Sequence, residues 1–236
     1  MHQRDDEEVS LDAELEEFMA VTAHDLRNPI AVVRASAQMA QRQMARGDSD
    51  GAQVRLKAIL EQTDRVTEML ETFLDAARVS TGRMVLRLEP VDLRGVVEWA
   101  ADRARLLVNE HRDRALECLV PPGCIGGWDK VKIGRAVRAL VSNAFAYGDP
   151  AMPVHVEARR TGTRVYMTVS GGGPGPDSDE AAHLFERFYR GPSAAETGQS
   201  GSGLGLFTAR GIARSHGGEV RWVVGDCFEM ELPLTE

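Results

Sequence analysis

The feature that most limits the fold is a pair of long amphipathic segments near the start of the chain. In the first segment, apolar residues recur at steps of three and four, as on one face of an α-helix: Leu11, Leu15, Phe18, Val21, Leu26, Ile30 and Val33. We expect this helix to end at about Arg46. In a second segment, over residues 53–79, apolar residues recur at seven-residue intervals: Ile59, Val66 and Phe73. The residues between them, 47–51, are turn formers.

Two long helices joined by a short turn predict an antiparallel hairpin. One hairpin cannot cover its own apolar stripe, so we expect two copies of the chain to pair as a four-helix bundle. A coiled-coil spacer is the alternative structure for such a pattern. Residues 1–10 are polar and acidic, and we expect them to form a frayed lead-in to the first helix.

One histidine of the first helix is placed where it could react. His24 and Asp25 are neighbours, about 100° apart around the helix axis and near the edge of the apolar stripe. Pro29 follows, and a proline inside a helix removes a backbone donor and bends the preceding turn. A helix that serves only for packing gains nothing from such a bend. An isolated histidine–aspartate pair is nevertheless more often structural than catalytic.

Charge and composition exclude several classes of function. The 236 residues include 28 basic and 36 acidic ones, and no dense run of Lys and Arg occurs, which disfavours a nucleic-acid partner. Apolar runs are far shorter than the roughly 20 residues that span a bilayer, and there is no signal peptide. The three cysteines show no CxxC spacing, so we expect neither a disulfide framework nor a cysteine metal site. We therefore expect a cytoplasmic chain without a membrane segment.

The rest of the chain alternates between helical and strand patterns. A strand predicted at 84–88, before Pro90, marks a domain boundary near 80–90. The other predicted elements are helices at 92–109 and 130–146 and strands at 115–120, 154–160, 163–169, 219–224 and 227–232. Helices interleaved with mostly antiparallel strands predict a two-layer α/β sandwich. The predicted class is thus α+β, with the helical hairpin over 11–82 and the sandwich over 83–236.

The histidine lies in a specific string, His24-Asp-Leu-Arg-Asn-Pro-Ile30, with Phe18 six residues earlier. This string resembles the phosphoacceptor box of the sensor histidine kinases of two-component systems. The resemblance implies that a neutral nitrogen of His24 attacks the γ-phosphorus of a nucleotide, while Asp25 holds the tautomer and stabilises the developing cation. It also implies that the amide of Asn28, one turn further on, positions the water that dephosphorylates a partner regulator.

Four later stretches resemble, in the family's order, the nucleotide-binding boxes of the histidine kinase and gyrase-type ATPases. The resemblance implies that Asn143, on a helix, ligates the Mg²⁺ of ATP and that Tyr147 packs against the base or sugar. It further implies a glycine loop close to the nucleotide, an aromatic and basic lid over it, and a second glycine box that binds phosphate at a helix start. The residues of these three boxes are Gly171, Gly173 and Gly175; Phe185, Arg187 and Arg190; and Gly201, Gly203, Leu204 and Gly205.

Three positions depart from the family's pattern. Gly171 stands where the family has an aspartate that accepts a hydrogen bond from the adenine amino group, Ala139 replaces a frequent asparagine, and Ala146 replaces a common lysine. A lost charge-assisted hydrogen bond costs about 1.5–3 kcal/mol. We therefore expect weaker ATP binding and relaxed base selectivity, and we expect Gly171→Asp to tighten ATP binding.

The leading hypothesis is a homodimeric histidine kinase core. Mg²⁺-ATP would bind the second domain, His24 would take the phosphoryl group, and an aspartate in the receiver domain of a response regulator would receive it. Phosphatase activity toward that regulator is a further expectation. The alternative is a degenerate kinase that acts as a dimeric binding or phosphotransfer module without productive ATP use. A gyrase-type ATPase or an anti-sigma serine kinase is disfavoured because neither needs the histidine-bearing hairpin.

Overall fold

The computed structural model describes Ala23 and residues 26–107, 114–192 and 201–235. The predicted lead-in, His24 and Asp25 lie outside these described residues. Contacts divide the chain into two units, Met1–Glu71 with Ser200–Ser202 and Thr72–Gln199 with Gly203–Glu236. No helix in the described part of the chain is both long enough and apolar enough to cross a membrane.

Two long helices form the first part of the chain, α1 over residues 26–45 and α2 over Ser49–Ser80. The turn between them is shorter than predicted. Asp48 accepts a hydrogen bond from the Gly51 amide through Oδ1 at 2.9 Å, and from the Ala52 amide through its carbonyl oxygen at 3.2 Å. Asp48 therefore caps α2, which begins at Ser49. The prediction of a turn through Gly51 was wrong because this glycine lies inside the first helical turn.

Much of the apolar surface of these two helices is exposed in a single chain. The large apolar side chains that are more than 40% exposed between residues 26 and 71 are Ile30, Val32, Met39, Met44, Val54, Leu56, Leu60 and Leu70. Exposed apolar side chains mark an interaction surface where they form a contiguous patch. Of the predicted stripe positions that the structure describes, Ile30 is exposed and Phe73 is buried, while Leu26, Val33, Ile59 and Val66 are partly buried.

A mixed five-stranded sheet forms one layer of the second unit. Its strands are β2 (Leu116–Leu119), β4 (Val154–Thr161), β5 (Arg164–Ser170), β6 (Glu219–Val224) and β7 (Cys227–Pro233), in the order β2-β4-β5-β7-β6. Strands β2 and β4 are parallel and the other neighbours are antiparallel. Buried and less buried residues alternate along β4 and β5, so one face of the sheet faces a core. The strands predicted in these regions are confirmed.

Helices form the second layer. They are α3 (Leu93–Leu107), α4 (Lys130–Tyr147) and α6 (Gly205–Ser215), with the short α5 (Ser178–His183) after β5. Side chains from both layers form a single core in which Leu140, Met167 and Ile212 are fully buried. The predicted two-layer α/β sandwich is therefore confirmed.

The strand predicted at 84–88 was wrong. Residues 83–88 form no regular element, and the strand is β1 (Glu89–Asp92), which pairs antiparallel with β3 (Ile125–Trp128) in a separate small sheet. Strand β3 was missed because two of its four residues are glycines, which are poor strand formers. A Cβ at Gly126 would lie 2.1 Å from Cε2 of the Trp128 indole, so the buried ring requires the glycine.

A buried histidine joins the start of α4 to the end of α6. Asp129 caps α4 by accepting a hydrogen bond from the Lys132 amide at 3.1 Å. The Asp129 amide donates to Nε2 of His216 at 3.0 Å, and Nδ1 of His216 lies 2.8 Å from the Ile212 carbonyl oxygen. Nε2 therefore accepts and Nδ1 donates, which is the pattern of a neutral imidazole. Burial lowers the pKa of His216 below its usual 6.5, against the opposing effects of Ile212 and Asp129.

The lowered pKa of His216 predicts that the free energy of unfolding decreases at acid pH. Below pH 6.5 the unfolded chain binds a proton at residue 216 that the folded chain, with its lower pKa, does not bind. The stabilisation is complete above pH 6.5 and is lost as the pH falls toward the folded pKa, by up to about 1.4 kcal/mol per pH unit. We expect His216→Gln to remove this part of the slope in urea unfolding at pH 7.5 and 5.5. His155→Gln, at a side chain 46% exposed, should retain the slope, and equal slopes for the wild type and His216→Gln would contradict the expectation.

Candidate functional site

The structure describes one of the three predicted catalytic residues. Asn28 lies on α1 with an exposed side chain, beside the buried Pro29. An exposed amide at this position is accessible to a partner protein. The assignments of His24 and Asp25 stay predictions.

The first glycine loop begins directly after β5 and packs against the last turns of α4, which carry Asn143 and Tyr147. A Cβ at Gly171 would lie 2.3 Å from the Ala144 carbonyl oxygen, and one at Gly173 would lie 2.6 Å from the Tyr147 carbonyl oxygen. These approaches are possible only for residues without a side chain. The structure thus brings the first two predicted boxes together.

The side chains at the end of α4 differ in their exposure. Asn143 is half-buried, whereas Tyr147, the last residue of the helix, is 36% exposed. Burial raises the pKa of the Tyr147 hydroxyl, and the charge of Arg190 opposes this shift. Arg190 is an exposed residue of the predicted lid.

The lid and the second glycine box also meet. Phe188 has a φ of +64° and is the one non-glycine residue with positive φ in the described part of the chain. A Cβ at Gly203 would lie 2.5 Å from the Phe188 carbonyl carbon. Strained backbone of this kind is found preferentially at functional sites and loops that move.

Two predicted site residues have packing contacts. The ring of Phe185 lies 6.2 Å from that of Phe228 in an edge-on arrangement, and the Arg210 guanidinium lies 4.8 Å from the centre of the Phe185 ring. Leu204 is fully buried. Arg187 has an exposed side chain on the lid, and Gly201 has open space where a Cβ would lie.

The start of α6 offers backbone donors. Gly205 is its first residue, and the preceding Leu204 makes no side-chain capping bond. The first amides of a helix have no partner within the helix and carry the positive end of its dipole. Such an uncapped start is suited to bind a phosphate group.

Two buried residues of the site have no counterpart in the sequence-based prediction. Arg114 donates hydrogen bonds to the carbonyl oxygens of Met152 at 2.6 Å and Ala144 at 3.0 Å, and also to that of Gly171. Asp226 accepts a hydrogen bond from the Gly171 amide through Oδ2 at 2.6 Å. Burial lowers the pKa of Arg114, an effect that the charge of Asp226 opposes. Arg114 lies outside every motif and Asp226 lies in an ordinary hairpin turn, so no sequence signal distinguishes them.

These residues occupy the space beside Gly171. The expected tightening of ATP binding by Gly171→Asp conflicts with this geometry. Besides the contact with Ala144, a Cβ at Gly171 would lie 3.0 Å from both Nη2 of Arg114 and Oδ2 of Asp226. An aspartate at this position would displace a backbone carbonyl group and add a second carboxylate beside the first.

The described residues include no group of three or more His, Cys, Asp or Glu side chains that could hold a metal ion. Magnesium commonly binds proteins through one or two oxygen ligands together with substrate phosphates and water. The half-buried amide of Asn143 fits that mode, in which most of the ligands come from the nucleotide.

Two family models match the chain. The model described as "His Kinase A (phospho-acceptor) domain" matches residues 14–82, and that described as "Histidine kinase-, DNA gyrase B-, and HSP90-like ATPase" matches residues 128–236. A phosphoacceptor hairpin followed by this ATPase domain decides the family. The chain belongs to the sensor histidine kinases of two-component systems.

Curated relatives of this family align with nearly the whole chain. The sensor-like histidine kinase SenX3 of Mycobacterium tuberculosis is 28% identical over 229 residues, covering 94% of this chain and 55% of the relative. The histidine-protein kinase/phosphatase MprB of Mycolicibacterium paratuberculosis is 31% identical over 203 residues, covering 84% of this chain and 37% of the relative. The chain thus spans about half the length, or less, of these sensor kinases. Neither name supports the alternative of a degenerate kinase.

Solved structures of histidine kinases share the fold. The kinase AdeS of Acinetobacter baumannii matches with a TM-score of 0.60 at 20% identity, covering 90% of this chain and 98% of that one. A mycobacterial sensor histidine kinase MprB matches with a TM-score of 0.53 at 27% identity, covering 62% of this chain and 97% of that one. The predicted order of a helical domain and an α/β ATPase domain is confirmed.

Proposed function

We propose that this chain is a histidine kinase core that phosphorylates His24 from Mg²⁺-ATP and passes the phosphoryl group to an aspartate of a response regulator. The observation that carries the proposal is the convergence, in one α/β domain of the histidine kinase family, of the glycine loop with the end of α4. The contact between the lid and the second glycine box supports it.

The described residues suit positioning and charge neutralisation, on which phosphoryl transfer depends. Asn143 would ligate Mg²⁺ through its amide oxygen, and Tyr147 would pack against the base or sugar. The amides at the start of α6 would bind phosphate oxygens, with Arg187 and Arg190 as cations on the lid. An imidazole nitrogen of His24 would form a bond to the γ-phosphorus while the bond to the β,γ-bridging oxygen breaks and ADP leaves. Asp25 would stabilise the phosphorylated imidazolium.

The hairpin would supply the dimer interface and the docking surface for the regulator. We assign the lead-in to residues 1–10, the dimerisation and phosphotransfer domain to 11–82, and the ATP-binding domain to 83–236. The apolar residues that a single copy of α1 and α2 leaves exposed support pairing with a second copy. The receiver domain of a response regulator would bind close to His24.

A second activity, dephosphorylation of the regulator, is favoured by Asn28. Its exposed side chain on α1 lies four residues after the phosphoacceptor, about one turn away. A primary amide can hold and orient a water molecule without competing as a nucleophile. The relative MprB is named a kinase/phosphatase.

The test is incubation of the chain with γ-labelled ATP and Mg²⁺. We expect protein-bound label that acid removes and base does not, as for a phosphoramidate. His24→Ala should abolish this label, because no other residue of the phosphoacceptor box can replace the imidazole. His155→Ala, a change at an exposed histidine of β4, is the matched control and should keep full labelling. Label that persists in His24→Ala would contradict the proposal.

A further inference from the structure

A carboxylate lies next to Gly171 although Gly171 itself has no side chain. Oδ2 of Asp226, in the turn between β6 and β7, lies 2.6 Å from the Gly171 amide nitrogen and 3.0 Å from the point where a Cβ at residue 171 would lie. We propose that Asp226 accepts the hydrogen bond of the purine 6-amino group and thereby selects adenine. The inference rests on the proposed binding of ATP.

The turn that carries Asp226 is held against the glycine loop. A Cβ at Gly175 would lie 1.7 Å from the Gly225 carbonyl oxygen, so the two backbones are in direct contact. The same carbonyl oxygen accepts a hydrogen bond from Nε1 of Trp222 at 2.6 Å. These contacts fix the position of the carboxylate relative to the loop, as a specificity group requires.

The carboxylate retains acceptor capacity. An ionised carboxylate has about four acceptor sites. The Gly171 amide is the one hydrogen-bond donor to Asp226 among the described residues, which leaves Oδ1 able to accept. The neighbouring Arg114 directs donors to backbone carbonyl oxygens and balances the negative charge of the buried group.

A purely structural role would make Asp226 only the counter-ion of Arg114. The two roles predict different results with inosine triphosphate, which has a 6-oxo group in place of the 6-amino group of ATP. An acceptor carboxylate repels the oxo group and binds the amino group, so it affects the ratio of the two affinities. If Asp226 were only a counter-ion, replacing it would change the affinities for both nucleotides equally, because it would act only through the folding of the site.

The experiment measures binding of ATP and inosine triphosphate to the full chain by calorimetry. In contrast to the relaxed base selectivity expected from Gly171 alone, we expect the wild type to prefer ATP, because the Asp226 carboxylate lies beside Gly171. We expect Asp226→Asn to weaken ATP binding by about 10- to 100-fold while changing the binding of inosine triphosphate much less. Asp149→Asn is the matched control, since Asp149 is exposed and also acts electrostatically on Arg114. Asp149→Asn should leave the ratio of the ATP affinity to the inosine triphosphate affinity unchanged.

A second variant separates charge from position. Asp226→Glu keeps the charge beside Arg114 but moves the carboxylate oxygens by one methylene. We therefore expect a folded chain in which the ratio of the ATP affinity to the inosine triphosphate affinity is reduced. If Asp226→Asn fails to fold, this variant decides. Equal affinities of the wild type for both nucleotides, or an unchanged ratio in Asp226→Glu, would refute the role of Asp226. Binding of neither nucleotide by the wild type would refute the proposed function itself.

Discussion

Asp75→Asn is expected to lower the free energy of unfolding of the second unit by about 3–5 kcal/mol. Asp75, near the end of α2, is fully buried and pairs with Nζ of Lys132 and with Nη1 of Arg135 at 2.7 Å. Nη1 of Arg78 lies 3.5 Å from the same carboxylate. The asparagine would remove the anion that faces the largely buried ammonium group of Lys132, and uncompensated buried charge is far more costly than a lost surface pair.

Urea unfolding followed by circular dichroism measures this change. Asp64→Asn makes the same substitution at an exposed position of the same helix and should change stability by less than about 0.5 kcal/mol. Lys132→Met should cost less than Asp75→Asn, because Asp75 keeps its bond to Arg135. A loss below about 1 kcal/mol in Asp75→Asn would mean that this cluster contributes no more than a surface ion pair.

Gly175→Ala is expected to lower the free energy of unfolding by about 2–5 kcal/mol, the sum of overpacking and backbone strain. Residue 175 has a φ of +75°, which disfavours any side chain. Its Cβ would also lie 1.7 Å from the Gly225 carbonyl oxygen, a backbone atom that can move only together with the turn between β6 and β7. Because that turn carries Asp226, we expect ATP binding to weaken as well.

Gly162→Ala separates the two contributions. Gly162 has a similar φ of +59°, but apart from its own chain neighbours no residue comes within 4 Å of its Cβ position. In this control the free energy of unfolding should fall only by the cost of an alanine in the left-handed conformation, about 1–2 kcal/mol. Chemical unfolding of both variants gives the comparison. Equal losses in the two variants would show that the contact between residues 175 and 225 is not tight.

Local patterns predicted most elements because each depends on residues close in the chain. The three- and four-residue steps before Val33 predicted α1, and alternation predicted β4 and β5, which have one buried face. Prediction failed where a distant contact decides the conformation. Strand β3 contains two glycines, which local propensity favours in turns. The strand nevertheless pairs with β1, and a side chain at Gly126 would overlap the Trp128 indole.

The sequence by itself determined the family, the order of the two domains, and the residue types available for phosphoryl transfer, because those depend on short strings such as His24–Ile30. Only the tertiary structure decided what surrounds Gly171. A missing side chain is visible in the sequence, but the carboxylate of Asp226 and the guanidinium of Arg114, 55 and 57 residues away, reach the same point only when the sheet and α4 pack together. Hydrogen bonds act over about 3 Å, so the folded backbone decides which charges meet.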